Sequence, residues 1–428
     1  MAIVGRSCRR HGDPGQPDQP TFRFGEFPVT GPGRFSARLV VPGDGPPIPD
    51  GVIEVADGII TDLFPGPDNT ATDLGNVVLL PGLVNTHTHL EFSTTRTPFP
   101  ANAGMAAWIG EVTTSRRTRT NHTNPIRTGL DELNASGTAA VGEIATTHWP
   151  TDLLHEEDPT CVVFREIIGL RPERCVQGLA TATDFLDGQT NNKCRVGLSP
   201  HAPYSVHPDL YEELVQLAVS RDVPLATHIA ESPEELELLA HGTGPMRERL
   251  ESLNAWSASA IPRGSCSLDY LTPLTRLRHP LVIHGNLLND RDITWLSQHR
   301  HIAIVYCPRT HAHFGHPPHP WLRLLEQGTP VALGTDGRVS NPDLSMWNEL
   351  QFLSRMAPTT PAEDILAMAT STAASALGLS GLCGTLTPGK QAIAVGVTPS
   401  NNSPLSLASI LTSGHLSGTL RNGRWHPA

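Results

Sequence analysis

The sequence predicts an α/β protein, a (β/α)8 barrel of the TIM type that carries a small β-sandwich-like domain built from both chain ends. Three observations lead there. From residue 81 to about 380, apolar strand-like runs alternate with helix-like segments, the pattern of repeated βα units around a parallel sheet. Most of these runs end in a polar or ionisable residue, as barrel strands do where they reach the catalytic face. Short β-type runs separated by Gly, Pro and Asp stand at both ends of the chain.

Taken in order, residues 1–33 are rich in Pro, Gly and Arg without apolar periodicity and read as a poorly ordered arm. Residues 34–80 hold the β-type runs ARLVVPGDG, GVIEVADGIITDLF and NVVLL. The barrel is expected over 81–380, from the runs VVLLPGLVNTHTHL, GTAAVGEI, VVFREIIGL, RVGLSPHAP, VPLATHIAE, PLVIHGNLL, HIAIVYCPRT and PVALGTDG. Residues 381–428 return to β-type text, GTLTPGKQAIAVGV and GTLRNGRWHPA, which rejoins the N-terminal runs so that the barrel is inserted in the small domain.

Bulk properties narrow the function. A chain of 428 residues with 38% hydrophobic content buries a large core. Its formal charge of -11 is spread evenly, without a basic stripe, which argues against nucleic acid as a partner. The seven cysteines are scattered and form no CxxC pair, as expected of reduced thiols in a cytoplasmic protein. The opening MAIVGRSCRRHGDPGQPDQP lacks the apolar stretch of a signal peptide, and no window reaches membrane-spanning length.

The chemistry lies at the strand ends. In PGLVNTHTHLEF, His87 and His89 are two apart, so on a strand their imidazoles face one way and can share an ion. His228 of THIAES ends the fifth barrel run and Asp336 of LGTDG the eighth, so that four N and O ligands suit one divalent ion, zinc or iron. His284 of VIHGNLL completes the inward-facing set. Among 20 histidines a single strand-end imidazole is most often a packed residue, and Glu231 of ESPEE alone reads as the first turn of a helix. Their ordered conjunction is what points to a metal site.

PGLVNTHTHLEF, THIAES, VIHGNLL, LGTDG and the closing ATSTAASALGLSGLCGTLTPGK resemble the cytosine-deaminase-like and adenosylhomocysteine-deaminase-like branch of the amidohydrolase superfamily, over residues 36 to about 425. The resemblance implies a metal-dependent hydrolase in which the ion lowers the pKa of its water from roughly 15.7 to about 7. It implies that Asp336 takes the water's proton, that Glu231 protonates a ring nitrogen and later the departing ammonia, and that His284 orients the nucleophile. Relatives with two ions use a carboxylated lysine at the end of the fourth strand. Here Lys193 precedes that strand and Ser199, Pro200 and His201 end it, so one ion, zinc before iron, is expected.

For the substrate, an amino-substituted nitrogen heterocycle, the resemblance nominates His201 in SPHAPYSV as a ring contact and Trp108 as an apolar lid, with a buried helix-face Trp as the alternative. CPRTHAHFGHPPHP departs from the branch, which has Asn-Pro and Ser-Asn there. Arg309, His311, His313 and His316 either recognise an acidic substrate or belong to a solvated lid. In VVFREIIGL either Arg165 or Glu166 points inward, and Ile393 stands after Ala392 where relatives have Asp. Competing readings keep the site with another leaving group, such as chloride, or make the barrel a non-catalytic scaffold. A homodimer is the usual assembly of such relatives.

Overall fold

The computed structural model describes residues 33–119, 123–147, 149–188, 194–400 and 405–428. Residues 1–32 of the expected arm and Lys193 lie outside the described residues, while Gly33, assigned to the arm, opens the first strand.

β1 (Gly33–Val40) pairs antiparallel with β2 (Ile48–Ala56), which pairs antiparallel with β3 (Ile59–Pro65). The two residues between β2 and β3, Asp57 and Gly58, take φ of 50° and 73°, the left-handed pair that a tight hairpin turn requires and that Asp-Gly supplies. β4 (Thr72–Asp73) and β5 (Val78–Pro81) run parallel to β1.

At Gly82 the chain leaves this sheet for another. The apolar run VVLLPGLVNTHTHL, expected as one barrel strand, is two: β5 in the first sheet and β6 (Leu83–Thr88) in the barrel. A Cβ at residue 82 would lie 2.7 Å from Ile393 Cγ2 and 2.8 Å from Ala139 Cβ, so only glycine lets the crossing strand pass between the two layers.

The barrel continues with β7 (Thr138–Ala145), β8 (Thr160–Ile167), β9 (Cys194–Pro200), β10 (Leu225–Ile229), β11 (Pro280–His284), β12 (Ala303–Tyr306) and β13 (Val331–Leu333), each parallel to its predecessor. Apolar residues buried on both faces account for these continuous hydrophobic runs. Val84, Val162, Phe164, Ile283, Val305 and Ala332 form one core cluster with Ala373 and Leu377 near the helix Ser371–Ala376. Side-chain and turn bonds bring the last strand to the first: Thr86 Oγ1 donates to the Leu333 carbonyl at 2.7 Å, and the Thr335 and Asp336 amides donate to the His87 carbonyl at 3.1 and 3.0 Å. Gly334 permits this approach, since a Cβ there would sit 2.9 Å from His87 Cβ.

β14 (Ile393–Thr398) then pairs antiparallel with β5, and β15 (His415–Arg421) and β16 (Arg424–Pro427) follow. Both chain ends thus share one eight-stranded sheet, whose buried core includes Val40, Ile53, Ile60, Leu79, Ala394 and Leu420. Among the described residues, six cysteines are free and no helix is long and apolar enough to cross a membrane.

Candidate metal centre and active site

The ends of β6, β10, β11 and β13 converge on one buried cluster. His87 lies on β6 and His89 just past it, with ring centroids 4.9 Å apart. The alternation that points these two one way turns Thr88 toward β7, where its hydroxyl donates to Glu143 at 2.6 Å and the Leu90 amide donates to the same carboxylate at 3.0 Å. Glu143 is buried and pins the turn that carries His89. The sequence hinted at it only as a carboxylate near the end of an apolar strand.

Possible ligand atoms of His87, His89 and Asp336 lie within 4.8 Å of one another, as do those of His87, His228 and His284. His87 Nε2 is 3.5 Å and His89 Nε2 3.7 Å from Asp336 Oδ1. His228 Nδ1 lies 2.9 Å from the His201 carbonyl, which can only accept, so this nitrogen carries the proton and Nε2 keeps its lone pair. Asp336 accepts from the Gly337 amide and the Ser340 hydroxyl, both at 2.7 Å. Both ring nitrogens of His87 and Nδ1 of His89 are buried without a hydrogen-bond partner. Such orphans cost about 1–3 kcal/mol each unless something binds them. A divalent ion fits that set of imidazole nitrogens and a carboxylate.

The electrostatics separate two carboxyl groups. Burial raises Glu231 well above the ordinary carboxylate range, and the charge of Asp336 pushes the same way. Burial opposes ionisation of Asp336 too, but the imidazole of His87, followed by His89 and His284, holds it below that range. One site therefore offers an acid and a base. Burial, reinforced by neighbouring imidazoles, lowers His89 and His228 and leaves them neutral, the form a metal needs. His284 is pushed down to about 3 by burial, and its Nε2 lies 3.2 Å from Glu231 Oε1.

Glu231 precedes a helix rather than joining it. Ser232 caps the helix Pro233–His241, its hydroxyl accepting from the Glu235 amide at 3.2 Å. The Glu235 carboxylate reaches back past the cap and accepts from the Ala230 and Glu231 amides at 2.8 and 2.9 Å. Asn286 Nδ2 donates to the Glu231 carbonyl at 2.9 Å. Ala230, His284 and Asp336 have φ of 54°, 68° and 57°, a left-handed conformation that non-glycine residues avoid and that here ends three barrel strands at the site. Glu235, which the sequence did not single out, stands three residues after the cap, and its carboxylate reaches past Ser232 to residues 230 and 231.

A cavity of roughly 300 Å³, at the lower end for small-molecule sites, opens onto His89, His201, His228, Glu231, His284 and Asp336. Its apolar wall includes Phe92, Trp108, Val112, Leu170, Leu250 and Leu253. Trp108 is on the helix Met105–Thr118, with Nε1 donating to the Val339 carbonyl at 3.3 Å. His201 Nδ1 is 2.6 Å from Ser205 Oγ, and its Nε2 is 3.8 Å from Glu166 Oε1. Between Arg165 and Glu166, the carboxylate is the inward one: Glu166 meets His201 and Arg116, whereas Arg165 donates to the Ala145 carbonyl. Arg116, which the sequence did not single out, lines the cavity and pairs with Glu91 at 2.8 Å.

Arg309 is not brought to this cavity. Its guanidinium is spent on Asp343 at 2.7 Å and on buried Glu349 at 2.8 Å, so the expectation of a substrate contact is corrected to one of anchoring the strand-end helix Pro308–Phe314. The segment around it is mixed: His311 and His319 are buried, whereas Ala312, Gly315, Pro317 and Pro318 are exposed.

The amidohydrolase family model matches residues 78–425. The chain belongs to the amidohydrolase family. This amidohydrolase is 28% identical over 325 residues to 5-methylthioadenosine/S-adenosylhomocysteine deaminase of Carboxydothermus hydrogenoformans, covering 72% of this chain and 69% of that one. It is 29% identical to aminodeoxyfutalosine deaminase of Deinococcus radiodurans, covering 68% and 71%. The crystal structure of Helicobacter pylori aminofutalosine deaminase in complex with methylthio-coformycin superposes with a TM-score of 0.77 at 24% identity, covering 92% of this chain and 99% of that one, and it establishes the shared fold.

Proposed function

We propose that this amidohydrolase removes ammonia hydrolytically from the amino-bearing ring carbon of an adenine nucleoside derivative. The observation that carries the reading is the opposed pair of carboxyl groups, Glu231 pushed up by burial and Asp336 held down by the imidazoles around it, facing one cavity beside orphaned imidazoles. The relatives named for deamination of adenosine derivatives supply the ring.

His87, His89, His228 and Asp336 would hold one divalent ion, zinc in the first instance. When bound, such an ion supplies a Lewis acid that brings the pKa of water to about 7. Glu231 gives its proton to a ring nitrogen, so that the ring stays neutral while it loses aromaticity; the ionised carboxylate then takes the proton of the added hydroxyl as that oxygen becomes the carbonyl and passes it to the departing amine. Asp336 collects the proton of the attacking water. His284, within hydrogen-bond reach of Glu231, orients that carboxyl and the developing charge. His201 contacts the ring and Trp108 with its apolar neighbours covers it.

The test is metal content by mass spectrometry together with ammonia release from adenosine, its 5′-thioether derivatives, aminopyrimidines and pterins. We expect about one ion per chain and ammonia from the adenine nucleosides, reduced at least about 10³-fold in Glu231→Gln with the ion retained, a loss typical of removing a group that acts in the transition state. Ammonia from pterins or pyrimidines alone would reassign the ring. Two ions per chain would overturn the metal count, and chloride release from chlorotriazines without ammonia from any amine would overturn the reaction.

A further inference from the structure

The His-rich segment after β12 has a use that the reaction above leaves open. The helix Pro308–Phe314 ends at Gly315, which takes φ of 65°, and the chain then passes through Pro317, Pro318 and Pro320. A residue before proline is held extended, so Pro318 and Pro320 fix the path of the residues that precede them, and His319 is one of these. His311 Nε2 closes the loop on the Pro317 carbonyl at 2.9 Å. His319 is delivered, buried, beneath the end of β11, where its Nε2 lies 2.8 Å from the His284 carbonyl.

We infer that His319 is a positioning residue for His284, fixing through that backbone carbonyl the turn that aims the His284 imidazole at Glu231. The carbonyl can only accept, so His319 carries its proton on Nε2, and its Nδ1 is buried with no partner. The ring stacks on Tyr306 at 4.1 Å with the planes 26° apart, and Trp321 lies stacked beyond Tyr306 at 6.4 Å. The imidazole is thus clamped between its one hydrogen bond and an aromatic face.

What it holds is a strained joint. Pairing of β11 with β12 stops at Ile283 opposite Val305, so on that side His284 lies past the ladder while on the other it still pairs with Ile229 of β10, and His284 and Gly285 take φ of 68° and 64° in succession. The Gly285 amide's bond to the Ile229 carbonyl at 3.1 Å holds one side of this turn and the His319 bond to the His284 carbonyl the other, against the tendency of the backbone around a non-glycine residue to relax toward negative φ when released. His284 Nε2 stands 3.2 Å from Glu231 Oε1, and rotation of the turn would break that contact without touching a ligand of the proposed ion.

The inference rests on the role proposed for His284, and its test is read in two ways. In His319→Phe, which keeps the aromatic stack and loses the donor, kcat should fall about 10–100-fold, the usual loss for a group supporting a site from behind, with KM within about threefold and the metal content unchanged. His319→Gln, which keeps an N–H of similar reach, should recover most of the rate. The crystal structure of His319→Phe should show His284 out of the left-handed region and its imidazole withdrawn from Glu231. Should His319→Phe fail to fold, His319→Asn, whose amide is too short to reach the carbonyl, carries the same test. A parental rate in the donor-less variant, or equal losses in Phe and Gln with His284 unmoved, overturns the inference. If the parent protein deaminates no nucleoside, the proposed function fails, and the crystal structure still decides the positioning.

Discussion

At the scale of single residues, the site works by setting similar groups apart. Glu231 and Asp336 are both buried carboxyls, and what divides them is that imidazoles surround one of them. Glu235 is a third case. Burial pushes it up to about 7 even though three backbone amides, those of Glu231, Ala230 and Ser232, favour its charge. A carboxyl raised on folding binds its proton more tightly in the folded protein, so its contribution is fully present below about 4.5 and is lost as pH rises toward 7, by at most about 3 kcal/mol. We therefore expect the unfolding free energy of metal-free parent, measured relative to Glu235→Gln, to decline between pH 4.5 and 7.5. Parallel curves from urea titrations would mean that Glu235 stays ionised throughout.

The same scale shows why some residues were legible and others not. His87, His89, His228 and Asp336 each end an apolar run, a local signal. Glu143 acts on Thr88 from a strand 55 positions away, and Arg309 is claimed by Glu349 40 positions on. A guanidinium near a strand end looks the same in sequence whether a substrate or a buried carboxylate will satisfy it.

At the scale of elements, the helix–strand alternation marked all eight barrel strands because each includes or adjoins an apolar run and is largely buried. That same property hid the join at Gly82, since β5 and β6 are equally buried though they belong to different sheets. Gly82→Ala tests the reading. Its new methyl would press on Ile393 and Ala139, and overpacking of this kind costs about 1–3 kcal/mol. The expected result is a lowered thermal midpoint with unchanged metal stoichiometry, because the strain falls at the start of β6 and His87 near its end. An unchanged midpoint would show that β6 can shift freely against β14.

At the scale of the whole molecule, three of the four proposed ligands, His87, His89 and Asp336, come from the two sides of the seam where β13 meets β6, bonded there through Thr86, Thr335 and Asp336. An ion bound by His87, His89 and Asp336 therefore ties the first barrel strand to the last. Without it the buried nitrogens of His87 and His89 stay unpartnered and the imidazoles crowd one another, at 4.9 Å between His87 and His89 and 5.1 Å between His87 and His228. Binding to the folded state alone stabilises by RT ln(1 + [L]/Kd), about 4 kcal/mol at a thousandfold excess over Kd. Chelation should accordingly lower the thermal midpoint of the parent, and zinc should restore it with a rise that continues as free zinc increases. In Asp336→Ala the chelator should have a much smaller effect, because the ligand that joins the seam is gone. A parent midpoint indifferent to chelator and zinc alike would mean that the barrel closes without an ion, and the orphaned imidazoles would then need another partner.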